Sequence, residues 1–181
     1  MAVISTKSES IESLLQRPVS KNEAVFVARL FVSEPVKLRE LITYISSENT
    51  KWAMRATYIL GIVWELEPQL LVAHQSELIK LVLETRWESV RRGLLRIIES
   101  TPIPEEYLGK LFDISLTWMK SENHEIAVRC NAMQVLYRIC CVETALAAEL
   151  SEQIKLIEDY GSPGIISRSK KILKKLETMK G

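Results

Sequence analysis

Asn123-His124-Glu125-Ile126-Ala127-Val128-Arg129 has three counterparts in this chain of 181 residues. They are Asn49-Thr50-Lys51-Trp52-Ala53-Met54-Arg55, Thr85-Arg86-Trp87-Glu88-Ser89-Val90-Arg91 and Ser162-Pro163-Gly164-Ile165-Ile166-Ser167-Arg168. In each, a residue able to cap a helix stands six positions before an arginine. The four arginines follow one another at spacings of 36, 38 and 39. Asn, Thr and Ser suit a helix start because their side chains accept from the free N–H groups of the first turn. A cap and an arginine at one offset in four places mark the recurrence of one structural unit.

Outward from these stretches the helical period continues, with no sustained polar/apolar alternation and no Asn-Gly or Asp-Gly hairpin signal. Pro18, Pro35, Pro68, Pro102, Pro104 and Pro163 punctuate the chain, most of them where a helix would begin and a missing N–H costs nothing. The pattern predicts ten helices, near 7–17, 20–32, 34–47, 50–66, 68–84, 86–101, 104–120, 124–142, 145–159 and 163–179. Short connections make neighbours antiparallel. The helices group into pairs at about 7–32, 34–66, 68–101, 104–142 and 145–179, within a single domain over 1–181. In the first pair Arg29 is present but no capping residue lies six before it, as in a divergent terminal repeat.

The helix near 124–142 is apolar on two stripes. Ile126, Cys130, Met133, Tyr137 and Cys140 form one, and Val128, Ala132, Val135, Ile139 and Val142 the other. Its partner near 104–120 has a single stripe in Tyr107, Leu111, Ile114 and Trp118. Two stripes require neighbours on more than one side. The expected fold is therefore all-α, about five antiparallel helix pairs stacked around one continuous core.

Two helices per period of 36 to 39 residues, with Val/Met-Arg early in the second helix, resemble HEAT repeats, and the resemblance implies an all-α fold, a right-handed α-α superhelix of about five stacked antiparallel helix pairs. Val90-Arg91-Arg92-Gly93-Leu94-Leu95 and Val128-Arg129-Cys130-Asn131-Ala132-Met133 are the most similar fragments. HEAT repeats commonly place an Asp before the Arg; here Asn49, Thr85, Asn123 and Ser162 hold that place, which implies a cap-based version of the ladder. Residues 129–137 and the ending from Tyr160 to Leu176 resemble a group of small bacterial HEAT-like proteins of unassigned function. Some members of such groups carry the label adenylosuccinate lyase, but the Ser-rich signature loop of that enzyme family has no match here.

Composition narrows the function. The chain carries 24 Lys+Arg against 23 Asp+Glu and 47% hydrophobic residues, values of a folded chain with a core. A net charge of +1 excludes a uniformly basic binder, yet the balance is −4 over residues 1–160 and +5 over 161–181. Residues 1–10 lack the pattern of a signal peptide, and the longest apolar run, Tyr58 to Trp64, is too short to span a membrane. A cytoplasmic location is expected. Three cysteines, Cys130, Cys140 and Cys141, form no paired framework and read as buried core thiols.

No catalytic residue, metal ligand set or cofactor loop is expected. His124-Glu125 begins like a metalloprotease helix, but Val128 stands where the second His is needed; His124 reads instead as a solvated early-turn residue. Glu105 and Glu106 suit the positive end of a helix dipole.

The candidate partner-binding residues are an inner row, Arg55, Arg91, Arg92, Arg129 and Arg168, and a basic C-terminal face, Lys170, Lys171, Lys174 and Lys175. Stacking would align the row on the concave face, either to meet an acidic partner or to bond caps and carbonyls of a neighbouring repeat. The lysines serve equally as a solvated end cap or a binding surface. Trp52 and Trp87, one period apart, read first as packing residues.

The expected function is a non-catalytic scaffold that binds a protein partner. The alternative is a nucleic-acid-binding protein related to the HEAT-like alkylbase DNA glycosylases, although neither aspartate, Asp113 or Asp159, follows a Trp as the carboxylate of those enzymes would.

Overall fold

The computed structural model describes residues 10–17 and 20–179. The first residues of the expected 7–17 helix, the Pro18 helix start, Lys180 and most of the stretch read for a signal peptide lie outside them. The described residues hold eleven α-helices, four short 3-10 turns and no strand. The chain divides into two compact units, one up to His74 and one from Gln75 onward.

In the first unit α1 (Ile11–Gln16), α2 (Lys21–Ser33), α3 (Leu38–Thr43) and α5 (Gln69–Val72) pack around α4 (Thr50–Leu66), α2 most extensively. Serines open the first two helices. Ser10 accepts from the Ser13 amide at 3.3 Å and Ser20 from the Glu23 amide at 3.1 Å. Ala24, Val27, Ala28 and Phe31 give α2 its buried stripe at spacings of three and four. On α4, Ala53, Ala56, Thr57, Ile59, Leu60, Ile62 and Val63 are buried, a face wide enough to take several neighbours. Thr57 hides its hydroxyl by donating to the Ala53 carbonyl at 2.7 Å.

The second unit repeats one hairpin three times. α6 (Gln75–Glu84) packs on α7 (Glu88–Ile98), α8 (Leu108–Lys120) on α9 (Ile126–Cys140), and α10 (Ala147–Glu158) on α11 (Pro163–Thr178). The second helices then lie side by side, with α9 between α7 and α11. Val128, Ala132, Val135 and Ile139 are wholly buried, as the second stripe of α9 requires. The other stripe is buried at Met133 and Cys140 but emerges at Ile126, and Val142 lies past the helix end, exposed. On α8 the buried face is Leu108, Leu111, Phe112, Ser115, Trp118 and Met119. Tyr107 and Ile114, expected on the stripe, stand at its edge over a groove shared with Lys80 and Leu83 of α6.

Four expected helices differ. Those at 104–120 and 145–159 open as 3-10 turns, Glu105–Tyr107 and Thr144–Leu146, ahead of α8 and α10. The 34–47 helix is a 3-10 turn at Pro35–Lys37, then α3, then a second turn at Tyr44–Ser46. The 68–84 helix is broken by a turn at Ala73 and His74, where His74 N–H bonds back only three residues to Leu71. No Gly or Pro marks that break, and the apolar spacing of Leu71, Leu78 and Val82 runs through it.

Two glycines give opposite expectations. A Cβ on Gly61, in the middle of α4, meets nothing within 4 Å, so Gly61→Ala is expected to raise stability by about 0.5–1 kcal/mol through helix propensity. A Cβ on Gly161 would lie 2.7 Å from Ile165 Cγ2 and 3.1 Å from the Ile157 carbonyl, and Ile165 is wholly buried. Gly161→Ala is expected to cost about 1–3 kcal/mol. Urea denaturation of the two variants beside wild type measures both signs.

Candidate functional site

Each second helix begins beside the end of the helix before it, where carbonyls lack intrahelical partners and the dipole is negative. Two of the aligned arginines, Arg129 and Arg91, sit at that place. Arg129 Nε donates to the Met119 carbonyl, in the last turn of α8, at 2.9 Å. Arg91 donates to the Thr85 carbonyl, just past α6, pairs with Glu88 one turn earlier, and lies 5.2 Å over the Trp118 ring. In the first unit Arg55 donates to the Leu15 carbonyl in the last turn of α1. These three guanidinium groups close helix ends inside the protein. Arg168 differs, donating to Gln134 Oε1 on α9 at 3.2 Å. Arg92 is exposed and meets Glu125 at 3.3 Å.

The caps follow the expected pattern only in part. Asn49 accepts from the Lys51 amide at 3.1 Å. Thr85 Oγ1 accepts from the Trp87 amide at 3.2 Å, two residues ahead of α7. Asn123 gives α9 no side-chain cap, and Ser162 Oγ is buried without a partner.

Glu88 takes over at the start of α9. Its Oε2 accepts from the Glu125 amide at 3.2 Å and its Oε1 accepts from His124 Nδ1 at 3.0 Å. A carboxylate only accepts, so Nδ1 carries the proton. His124 is therefore not a solvated early-turn residue; it is half-buried and tied to α7. Burial pushes the Glu88 carboxyl up, but the bonds from His124 and the Glu125 amide and the Arg91 charge outweigh it and hold the group below its ordinary value. Asn131 Nδ2 adds a bond to the Arg92 carbonyl at 3.2 Å. The joint with α11 has the same reach along the chain, through Cys130 Sγ to the Gly164 carbonyl at 3.6 Å, Arg168 to Gln134, and Ser169 Oγ to Met133 Sδ at 3.8 Å.

The exposed charge lies elsewhere. Arg168, Lys171, Lys174, Lys175 and Thr178 of α11, with Gln134 of α9, line an open groove. Lys175 Nζ rests 5.0 Å over the Tyr137 ring. Lys170 is exposed and is not among the residues that line this groove. Glu99, at the C-terminal end of α7, feels the same cations. Burial pushes its carboxyl up, while the charges of Arg168, Arg96 and Lys175 pull it down, and its Oε2 is buried with no hydrogen-bond partner. Gln134 and Glu99 were not legible as site residues, since single polar residues on a helix carry no motif. Glu88 left one signal, its three-residue offset from Arg91.

The remaining sequence candidates disperse. Trp52 packs edge-on to Tyr44 with ring centres 5.8 Å apart, and Trp87 lies under the Arg86 guanidinium at 4.6 Å. Cys140 is buried, and burial pushes its thiol up to about 12; Cys130 is half-buried and Cys141 exposed, so only one of the three is a core thiol. Glu105 and Glu106 open a 3-10 turn ahead of α8 and are exposed. Among the described residues no three of His, Cys, Asp or Glu gather as metal ligands, and no helix is long and apolar enough to cross a membrane.

The family model of the HEAT repeat domain matches residues 11–176. No curated protein and no solved structure matches the chain.

Two substitutions test the structural arginines and the Glu88 joint. Arg129→Met keeps the apolar stem but removes the bond to Met119, and is expected to cost about 1.5–3 kcal/mol by thermal or urea unfolding, against less than about 0.5 for Lys174→Met. A carboxyl held below its ordinary value stabilises the fold above that value and loses the effect as pH falls through it. Glu88→Gln should therefore destabilise by about 1 kcal/mol at neutral pH. Its difference from wild type should shrink as pH falls below the ordinary value of 4.5, in unfolding curves taken across that range.

Proposed function

The chain belongs to the HEAT repeat family, and from that premise we propose that it is a non-catalytic scaffold binding a protein partner through the face made by the second helices of its second unit. One observation carries the reading. Arg55, Arg91 and Arg129 are occupied by internal carbonyls, whereas Lys171, Lys174 and Lys175 stand exposed along the α9/α11 groove. Exposed cations on one face of a repeat array are what a docking surface requires. Three free cysteines, one exposed, suit the reducing cytoplasm.

Site-specific photo-cross-linking tests this reading. A photoreactive residue at position 171 in the cell is expected to give discrete protein adducts that survive nuclease. The same residue at Lys155, exposed on α10, is expected to give none. Equal labelling from both positions overturns the choice of face, and adducts that vanish with nuclease favour nucleic acid as the partner.

A further inference from the structure

The groove between α9 and α11 has a length and a charge pattern that restrict what fits it. Arg168 to Lys175 is seven residues of helix, about 10 Å. Along it Arg168, Lys171, Lys174 and Lys175 supply cations, neighbours on the helix surface being about 5–6 Å apart. Alternate side chains of an extended peptide point the same way about 7 Å apart. Two or three carboxylates of an extended acidic segment therefore match the cation spacing, within the reach of flexible lysine stems. Gln134 on the α9 wall offers an amide, able both to donate to and accept from a peptide backbone. Its carbonyl already holds Arg168, which fixes the one guanidinium of the groove at its edge. Lys175 is steadied by the Tyr137 ring.

The same dimensions disfavour a duplex. Double-stranded DNA carries a charge about every 1.7 Å, and binding engages on the order of six to ten phosphates along an extended track. Here the groove supplies four cations, Arg168, Lys171, Lys174 and Lys175, over about 10 Å of helix. The buried Glu99 carboxyl lies within range of Arg168 and Lys175, and Glu177 is exposed on the same helix. The negative charges of Glu88 and Glu125 mark the opposite end of α7 and the start of α9.

We propose that the α9/α11 groove, through Arg168, Lys171, Lys174, Lys175 and the Gln134 amide, is the docking site for a short, extended, Asp/Glu-rich segment of a partner protein. This rests on the scaffold reading and gives it a partner chemistry. Most of the contact is electrostatic and partly exposed, so affinity falls steeply with salt. Specificity comes from the match of spacing rather than from total charge.

The full-length chain, labelled with nitrogen-15, titrated with an octaglutamate peptide at about 50 mM salt, reads the site directly. Amide shifts are expected to cluster at Gln134, Arg168, Lys171, Lys174 and Thr178. Lys171→Glu combined with Lys174→Glu is expected to weaken binding at least about tenfold. Lys110→Glu combined with Lys155→Glu, the same change in net charge on the exposed faces of α8 and α10, should leave it within about twofold. No shifts, shifts spread over every basic surface, or equal weakening by the two double variants overturns the proposal. So does a short DNA duplex that takes the groove more tightly than the peptide. If octaglutamate fails while the protein cross-links from position 171 persist, the acidic segment is overturned and the scaffold reading stands. If octaglutamate binds as expected but those cross-links are absent, the groove chemistry stands and the scaffold reading falls.

Discussion

Val128, Ala132, Val135 and Ile139 are buried on α9, and so are Met133, Leu136 and Cys140, and no single neighbouring helix covers all of them. α9 meets α8 across its hairpin, α7 on one flank and α11 on the other. At roughly 25 cal/mol per Å² of apolar surface removed from water, this sharing is the largest favourable term available to the unit. It also dictates where polar groups can go. Glu88, His124, Asn131, Gln134 and Arg168 bond along the seams between second helices, at separations of 34 to 39 residues that follow the repeat. Packing sets the distance between helices, and the seam bonds set their register.

The arginines show how one residue type at one offset comes to do different things. At Arg55, Arg91 and Arg129 a preceding helix ends within reach, and the guanidinium takes a carbonyl that has no partner of its own. Arg168 belongs to the last repeat of the second unit and bonds instead to a side chain on α9. The same α11 carries its lysines on the flank beside that bond, so the transition from structural to accessible charge falls on a single helix.

Much of this was legible in the residues because helical period and repeat period are both properties of one chain read in order. The 36- to 39-residue spacing located the second helices, and the paired stripes on α9 required neighbours on two sides. What was not legible depends on contacts between segments. The break at Ala73 and His74 leaves no Gly or Pro and no change of phase. Asn123 has the chemistry of a cap, but Glu88, one repeat away, supplies the acceptor for α9. His124 looked solvated because its partner is 36 residues distant. A helical wheel places Lys170, Lys171, Lys174 and Lys175 on one broad face, and only the position of α9 says which of them line a groove.

Glu99 places a proton site under the cationic surface. Burial pushes its carboxyl above the ordinary value, and Arg168, Arg96 and Lys175 offset only part of that rise. Whatever neutralises those cations, whether lysine acetylation or a bound anion, raises the affinity of Glu99 for a proton. By thermodynamic reciprocity a proton on Glu99 leaves the surface above it more positive. The strength of that surface is thus a variable set jointly by its own cations and by one acid beneath them.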